Sequence, residues 1–187
     1  DTWNQALGQI AVKGNNEKEM VKFYSALYNA HFLPRTFSDV DGSYPRFDGD
    51  GQIMKMDHGT YYCDFSQWDT YRAVHPLFSI LNPSRNGDMA HSLVLKGQQG
   101  GWLPIFPSWN SYTAAMIGDH CIAMIGDAIV KDTPGFDYEE AYTLMRKNAF
   151  EANPDSGSYR DGKGRRAMES YLKYNYVPLE DQVTEAF

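Results

Sequence analysis

Residues 111–131 decide the fold of this chain and have the sequence SYTAAMIGDHCIAMIGDAIVK. Small and apolar side chains recur along the segment at spacings of four, three, four and three, which is the period of one helix face: Ala114, Gly118, Cys121, Ile125 and Ala128. Small residues on such a face allow a second helix to approach closely. The segment therefore predicts one long helix packed inside a helical domain.

Helical periods also dominate the rest of the chain. They predict helices over about residues 3–11, 18–32, 67–81, 86–97, 136–151 and 165–174, and an amphipathic helix that opens at Pro178 without a stop signal. Pro76 is expected to kink or end the first part of the 67–81 helix. Between residues 34 and 62 the period fails, and the Asp-Gly steps of residues 48–51 favour a tight turn. The predicted fold class is all-α, with a long ordered loop or short hairpin near residues 34–62.

Composition excludes several classes of protein. A length of 187 residues suits one domain, which makes residues 1–187 a single unit. The net charge of -7 argues against nucleic acid as a partner, because phosphate neutralisation needs a basic face. The longest apolar stretch, residues 114–130, is interrupted by Asp119, His120 and Asp127, which excludes an ordinary transmembrane helix. Cys63 and Cys121 lack a CxxC partner and are expected to be buried free thiols.

Residues 65–77, FSQWDTYRAVHPL, combine the side chains that a sugar pocket uses. The Trp68 ring can cover the apolar face of a pyranose, Asp69 can accept from hydroxyl groups, and Arg72 can donate in a forked geometry. The same residues also fit a structural interpretation, in which Ser66 and Asp69 form a capping box at a helix N-terminus. The two interpretations are compatible.

Two further segments contain candidate binding residues. Residues 102–110, WLPIFPSWN, form a loop that resists helix, and Trp102 and Trp109 either line a cleft or wedge two helix ends apart. Asp119 and His120 are expected in the middle of the 111–131 helix, where an unpaired buried charge is costly. They are therefore expected to face a cleft, a partner or solvent, although a lone histidine in a helix is often a hydrogen-bonded core residue.

The sequence provides no metal-ligand motif and no activated nucleophile. Aspartates crowd the long loop, but their spacing does not match an EF-hand, and solvated turn residues are the favoured interpretation: Asp39, Asp41, Asp48, Asp50 and Asp57. Neither an HExxH pattern nor a GxSxG elbow occurs. A carboxylate acid and base pair remains open, because sequence cannot give the separation of two carboxylates.

Four motifs together resemble glycoside hydrolase family ninety-two, the calcium-dependent exo-acting α-mannosidases. They are KFYSALY at 22–28, SDVDGSY at 38–44, FSQWDTYR at 65–72, and MIGDH at 116–120 followed by GDA at 126–128 and Lys131. They occur in family order and, taken together, cover roughly residues 3–180. Tyr112 departs from a variant common in the family, which has glutamate at that position.

The resemblance implies part of an (α/α)6 toroid that is truncated at its C-terminal end. The family removes terminal α-mannose with inversion, using a glutamic acid as general acid and an aspartate as general base, while calcium contacts the mannose hydroxyls. Those carboxylates and most calcium ligands lie C-terminal to the residues present here, so no catalytic residue is assigned. The implied partners are a glycan with terminal α-mannose and the remaining C-terminal part of a secreted or periplasmic enzyme.

The resemblance assigns Trp68 and Asp69 to a mannose subsite, with Arg72 in support. By itself, the 187-residue chain is expected to be inactive. A different class remains open, a non-catalytic carbohydrate-binding helical module, and a third is a helical interaction module whose aromatic residues are only core.

Overall fold

The structure is a computed structural model that describes residues 2–153 and 162–179, and this part of the chain is mostly helical. Its helices are α1 Thr2–Leu7, α2 Glu17–Ala30, α3 Gln67–Thr70, α4 Val74–Leu81, α5 Pro83–Gly100, α6 His120–Val130, α7 Tyr138–Phe150 and α8 Met168–Tyr174. Its short strands are β1 Arg35–Thr36, β2 Ser43–Pro45, β3 Ile53–Lys55 and β4 Tyr62–Cys63. The predicted helix beyond Pro178 and most of the predicted polar loop at 153–164 lie outside the described residues.

The region near residues 34–62 folds into two small antiparallel sheets. Strands β2 and β3 form a hairpin, with Pro45 opposite Ile53, so the turn predicted at residues 48–51 is confirmed. Strands β1 and β4 close the segment at its base, with Arg35 opposite Cys63. The second sheet was not predicted, because strands of two residues are too short for an alternating pattern to be visible.

Helix α5 lies at the centre of the core and packs against α4, α6, α7 and β4. Its buried residues Met89, Leu93 and Val94 contact side chains from those elements, including Phe78, Ile125 and Leu144. The helix is longer than the predicted 86–97 span at both ends. Pro83 occupies its first turn, where a missing N–H costs nothing, and it ends only at Gly101, whose φ of 89° is left-handed.

The long helix predicted over residues 111–131 is wrong in its first half. Residues 111–119 are irregular, and α6 begins at His120. Met116 and Gly118 have φ values of 63° and 80°, and such left-handed backbone ends helical hydrogen bonding. A glycine at position 118 is compatible both with a small-residue helix face and with the interruption of a helix. The helical period alone cannot distinguish these two roles. Asp119 is consequently the N-cap residue of α6, and His120 its first residue, not mid-helix residues.

The helix predicted over residues 67–81 is divided before Pro76 instead of at it. Helix α3 ends at Thr70, and α4 begins at Val74. Pro76 is therefore the third residue of α4, in the first turn, where backbone N–H groups have no intrahelical acceptor. The break leaves Tyr71 and Arg72 in the linker between the two helices.

The core contains a fully buried lysine. Lys96 on α5 is 0% exposed, its Nζ donates to the carbonyl of Tyr62 at 2.6 Å, and it lies 3.7 Å from the centroid of the Tyr61 ring. Burial lowers the pKa of Lys96 to about 7. Cys63 and Cys121 are free and buried, as predicted. Among the described residues, no helix combines the length and apolar character that a membrane crossing requires.

Candidate binding cavity

A cavity of about 420 Å³ opens beside the N-terminus of α6. Loop residues form one side of it, and residues at and around α8 form the other: Ile105, Gly118, Asp119, His120, Arg165, Arg166, Met168, Tyr171 and Val177. The lining therefore combines hydrogen-bond donors and acceptors with apolar surface. A cavity of this kind suits a small polar ligand that has apolar faces.

Asp119 places a buried carboxylate at the cavity. Its side chain is 4% exposed, and Oδ1 accepts a 3.4 Å hydrogen bond from Nδ2 of Asn148. Nε of Arg165 lies 3.5 Å from Oδ2, an ion-pair separation, but no group among the described residues makes a hydrogen bond to Oδ2. Burial raises the pKa of Asp119 to about 6, against the opposing effects of Arg165 and Asn148. Oδ2 is thus a desolvated acceptor that receives no hydrogen bond from the described residues.

Asn148 holds Asp119 in this position. Its amide forms a pair of hydrogen bonds with the backbone of Leu103, accepting from the N–H at 3.1 Å and donating to the C=O at 3.1 Å. The amide orientation is therefore fixed, and the remaining hydrogen of Nδ2 points to the carboxylate. The cavity carboxylate is positioned by α7 and by the loop that begins at Gly101.

His120 presents an imidazole next to Asp119. Its ring stacks on Tyr71, with centroids 4.3 Å apart and planes 7° from parallel. Burial, and then the charge of Arg72, lower the pKa of His120. Its buried Nε2 has no hydrogen-bond partner in the described part of the chain. A neutral imidazole with a free nitrogen can donate to a ligand or accept from it, depending on its tautomer.

Trp68 and Arg72 belong to the same group of side chains but do not line the cavity. The Arg72 guanidinium carbon lies 4.9 Å from the Trp68 ring centroid and 4.8 Å from that of Tyr71. A continuous stack therefore runs from Trp68 through Arg72 and Tyr71 to His120, and we call it the Trp68–His120 stack. The structure thus links two of the predicted sugar-binding residues to His120, while Arg72 covers part of the Trp68 ring.

The structure does not bring Asp69 to the lining of this cavity. Asp69 is exposed on α3, and its carboxylate accepts a 2.5 Å hydrogen bond from the Ser66 hydroxyl. Ser66 makes no side-chain cap hydrogen bond, so the predicted capping box is not formed. The Ser66 hydroxyl instead bonds directly to the Asp69 carboxylate, whereas in a capping box each side chain would bond to the backbone N–H of the other residue.

The two tryptophans of the 102–110 loop lie in different environments. Trp102 is 8% exposed, with the Lys147 Nζ 4.4 Å from its ring centroid, whereas Trp109 is 81% exposed. Neither of them lines the cavity described above. The burial of Trp102 favours the structural interpretation for that ring. Tyr112 also has a structural contact, because its hydroxyl donates to the Trp102 carbonyl at 2.5 Å.

Arg165, Arg166 and Tyr171 line the cavity and were not identified from the sequence. The available signal was the Arg165-Arg166 pair directly after Gly162-Lys163-Gly164, which places adjacent cations beside a flexible turn in an acidic chain. Nothing in the sequence connected that pair with Asp119, because the pairing spans 46 positions of chain and depends on the fold.

No cluster of acidic, histidine or cysteine side chains among the described residues suits calcium. Two of the loop aspartates serve local turns, as predicted: Asp41 accepts from the backbone of Ser43, and Asp50 from that of Gln52. Asp48 instead accepts from the Ser111 hydroxyl and forms an ion pair with Lys163. Calcium prefers a shell of six to eight oxygen ligands. The described residues provide one cluster of potential metal ligands, Asp57, His58 and His91, and two of its three members are imidazoles.

Comparison with known proteins places the chain in a family. The profile described as Glycosyl hydrolase family 92 catalytic domain matches residues 1–187. An α-mannosidase of family GH92 from Bacteroides thetaiotaomicron, solved free and in complex with mannoimidazole, is 33% identical, with a TM-score of 0.81. That alignment covers 95% of this chain and 22% of the solved chain.

A second solved structure is an inverting mannosidase of family GH92 from Bacteroides thetaiotaomicron VPI-5482. It is 28% identical with a TM-score of 0.83, and the alignment covers 99% of this chain and 25% of that chain. The chain thus spans about a quarter of the length of these solved relatives. The curated proteins contain no match. Since the family profile covers all 187 residues and a solved member is 33% identical over nearly all of them, the chain belongs to glycosyl hydrolase family 92.

Proposed function

We propose that this chain is part of a glycoside hydrolase that removes terminal α-linked mannose with inversion, and that it supplies sugar-binding residues. The observation that supports this most strongly is the buried carboxylate of Asp119, which lines the cavity with Oδ2 unbonded by any described residue, next to the unbonded Nε2 of His120. Family membership supplies the reaction class, and a relative described as an inverting mannosidase supports the stereochemistry.

The chemistry of the cavity matches one sugar ring. Asp119 can accept from a hydroxyl, while Arg165 and His120 can donate to hydroxyl or ring oxygens. Ile105, Met168 and Tyr171 provide apolar and aromatic surface for the C–H face of the ring. These groups bind and orient a sugar. The Trp68–His120 stack holds the imidazole rigidly, because a stacked ring cannot rotate without losing its contacts with Tyr71.

The general acid, the general base and the calcium ligands are proposed to lie outside this chain. The support is that the chain spans about a quarter of its solved relatives and that no cluster of acidic, histidine or cysteine side chains among its described residues suits calcium. We further propose that its helices form part of an (α/α)6 toroid. On the family resemblance alone, we propose that the enzyme is secreted or periplasmic.

The test is hydrolysis of an α-mannoside by the protein that carries this chain. Asp119→Ala and His120→Ala are expected to lower kcat/KM by about 10- to 100-fold, since each removes a hydrogen bond to the sugar within a desolvated site. The matched control is Asp39→Asn, a change at an exposed turn carboxylate that should leave kcat/KM unchanged. Residues 1–187 alone should release no mannose.

Three outcomes would contradict the proposal, each in a different part. Turnover of a different glycoside in preference to the α-mannoside would refute the assigned substrate. Mannose binding by the protein without any hydrolysis would instead favour a non-catalytic carbohydrate-binding module. Unchanged kcat/KM in both cavity variants would leave the proposed enzyme activity standing but refute the sugar-binding role of the cavity.

A further inference from the structure

The loop between β3 and β4 approaches helix α5 and brings three potential metal ligands together. Asp57 and His58 are on the loop and His91 is on the helix, and one ligand atom from each lies within 4.8 Å of the other two. The two imidazole rings are stacked with centroids 4.7 Å apart. The cluster shares no residue with the lining of the cavity beside α6.

The hydrogen bonds of His58 fix which of its nitrogens is available. Nε2 lies 3.0 Å from the carbonyl oxygen of Gly135, and because a carbonyl only accepts, Nε2 must hold a hydrogen. In the neutral ring, Nδ1 therefore has a lone pair. That nitrogen faces Oδ1 of Asp57 at 2.9 Å, so two acceptors point at each other. Such a pair needs a cation between or beside its members, and the choices are a proton and a metal ion.

The surroundings of Asp57 and His91 match this arrangement. The backbone N–H of His58 donates to Oδ1 of Asp57 at 2.9 Å, which turns the carboxylate toward the ring. Nδ1 of His91 is buried and makes no hydrogen bond to any described residue. Histidine metal ligands usually donate their other ring N–H to a carboxylate or a backbone carbonyl, and His58 does so with Gly135.

We propose that Asp57, His58 and His91 form a binding site for a divalent transition-metal ion, with Zn²⁺ as the expected occupant. Two imidazole nitrogens and one carboxylate oxygen suit Zn²⁺ and disfavour calcium and magnesium, which prefer oxygen ligands. Water completes the coordination, because Asp57 and His58 are exposed. The ion ties the β3–β4 loop to the middle of α5.

Closing the site requires the stacked imidazole of His58 to tilt away from that of His91, because an ion lies in the plane of each ring that binds it. Ligand atoms on a tetrahedral zinc ion with bonds of about 2.1 Å lie about 3.4 Å apart. Since the ligand atoms lie within 4.8 Å of one another, the largest separation has to shrink by at most about 1.4 Å. The Asp57 and His58 side chains are 76% and 51% exposed, so both can adjust without disturbing the core.

The experiment is a zinc titration of the purified protein that carries this chain. Metal is first removed with a chelator, Zn²⁺ is added, and unbound Zn²⁺ is removed by dialysis. The bound Zn²⁺ is then counted by mass spectrometry, and its affinity is measured by competition with a chromophoric chelator. Wild-type protein should hold one more equivalent of Zn²⁺ than His58→Gln or His91→Gln. Asp57→Asn should weaken the affinity by about tenfold or more.

Controls separate this site from other metal-binding groups and from misfolding. The matched variant is His31→Gln, because His31 is a partly buried histidine outside the cluster whose Nδ1 bonds to the Leu27 carbonyl at 2.8 Å. It should keep the wild-type zinc content. Circular dichroism checks the fold of each variant. The substitutions at the exposed positions 57 and 58 are expected to leave the fold intact. Equal zinc content and affinity in the wild type, Asp57→Asn and His58→Gln would overturn the proposal.

Discussion

Replacing Asp119 by asparagine is expected to stabilise the protein at pH 7 while weakening its sugar binding. The carboxylate is buried, and its pKa is about 6 in the fold against a usual value of 3.8. The difference of about 2 units corresponds to about 3 kcal/mol of unfavourable free energy for the charged form in the folded state. Asparagine has nearly the same shape and carries no charge, so it avoids this cost.

The sign of the pH dependence follows from proton binding. Between about pH 4 and pH 6 the folded protein binds more protons at Asp119 than the unfolded chain does. Wild-type stability therefore falls as the pH rises through this window, relative to a variant that does not titrate. Below pH 4 both states are protonated, and the difference between wild type and Asp119→Asn should be small.

The assay is denaturant unfolding of wild type and Asp119→Asn at several values between pH 4 and pH 7. The variant should gain up to about 3 kcal/mol of relative stability across that range. Asp39→Asn, at an exposed turn carboxylate, serves as the control and should show little change. A variant that is less stable than wild type at pH 7 would refute the reasoning, because it would mean that the ion pair with Arg165 outweighs the cost of burial.

Two further predictions test other parts of the structure. Gly118→Ala should lower kcat/KM for an α-mannoside, because the φ of Gly118 is 80° and an added Cβ would come 2.5 Å from Nε2 of His120. Unchanged kinetics would show that this steric clash is relieved without moving the imidazole ring. Lys96→Met should remove a pH dependence of stability. The pKa of Lys96 is about 7 in the fold against 10.5 usually, so the unfolded state binds more protons between these values. Wild-type stability relative to Lys96→Met should rise by about 2 kcal/mol from pH 7 to pH 9. A flat difference would mean that the Tyr61 ring compensates the ammonium for its lost hydration.

Features with local causes could be predicted from the sequence. Helices α2 and α7 have apolar faces at helical spacing, and α7 begins after the N-cap Asp137, whose side chain accepts from the N–H groups of Glu139 and Glu140. The Asp-Gly turn formed the expected hairpin for the same reason, since a tight turn is determined by its own residues.

The cavity could be predicted only in part. Asp119 and His120 were expected to face a cleft, a partner or solvent, but their position at the start of α6 depends on the left-handed Gly118, which the helical period concealed. The contact between Asp119 and Arg165 joins distant parts of the chain. Such contacts are set by how helices pack, and a single sequence contains no direct record of them.

The most direct test of the account is a crystal structure of the protein that carries this chain, in complex with mannoimidazole, the ligand of one solved relative. The account predicts that a hydroxyl of the bound ring donates to Oδ2 of Asp119 and that Nε2 of His120 lies within hydrogen-bond distance of the ligand. A ligand bound elsewhere, with the cavity beside α6 filled by another segment of the protein, would contradict it.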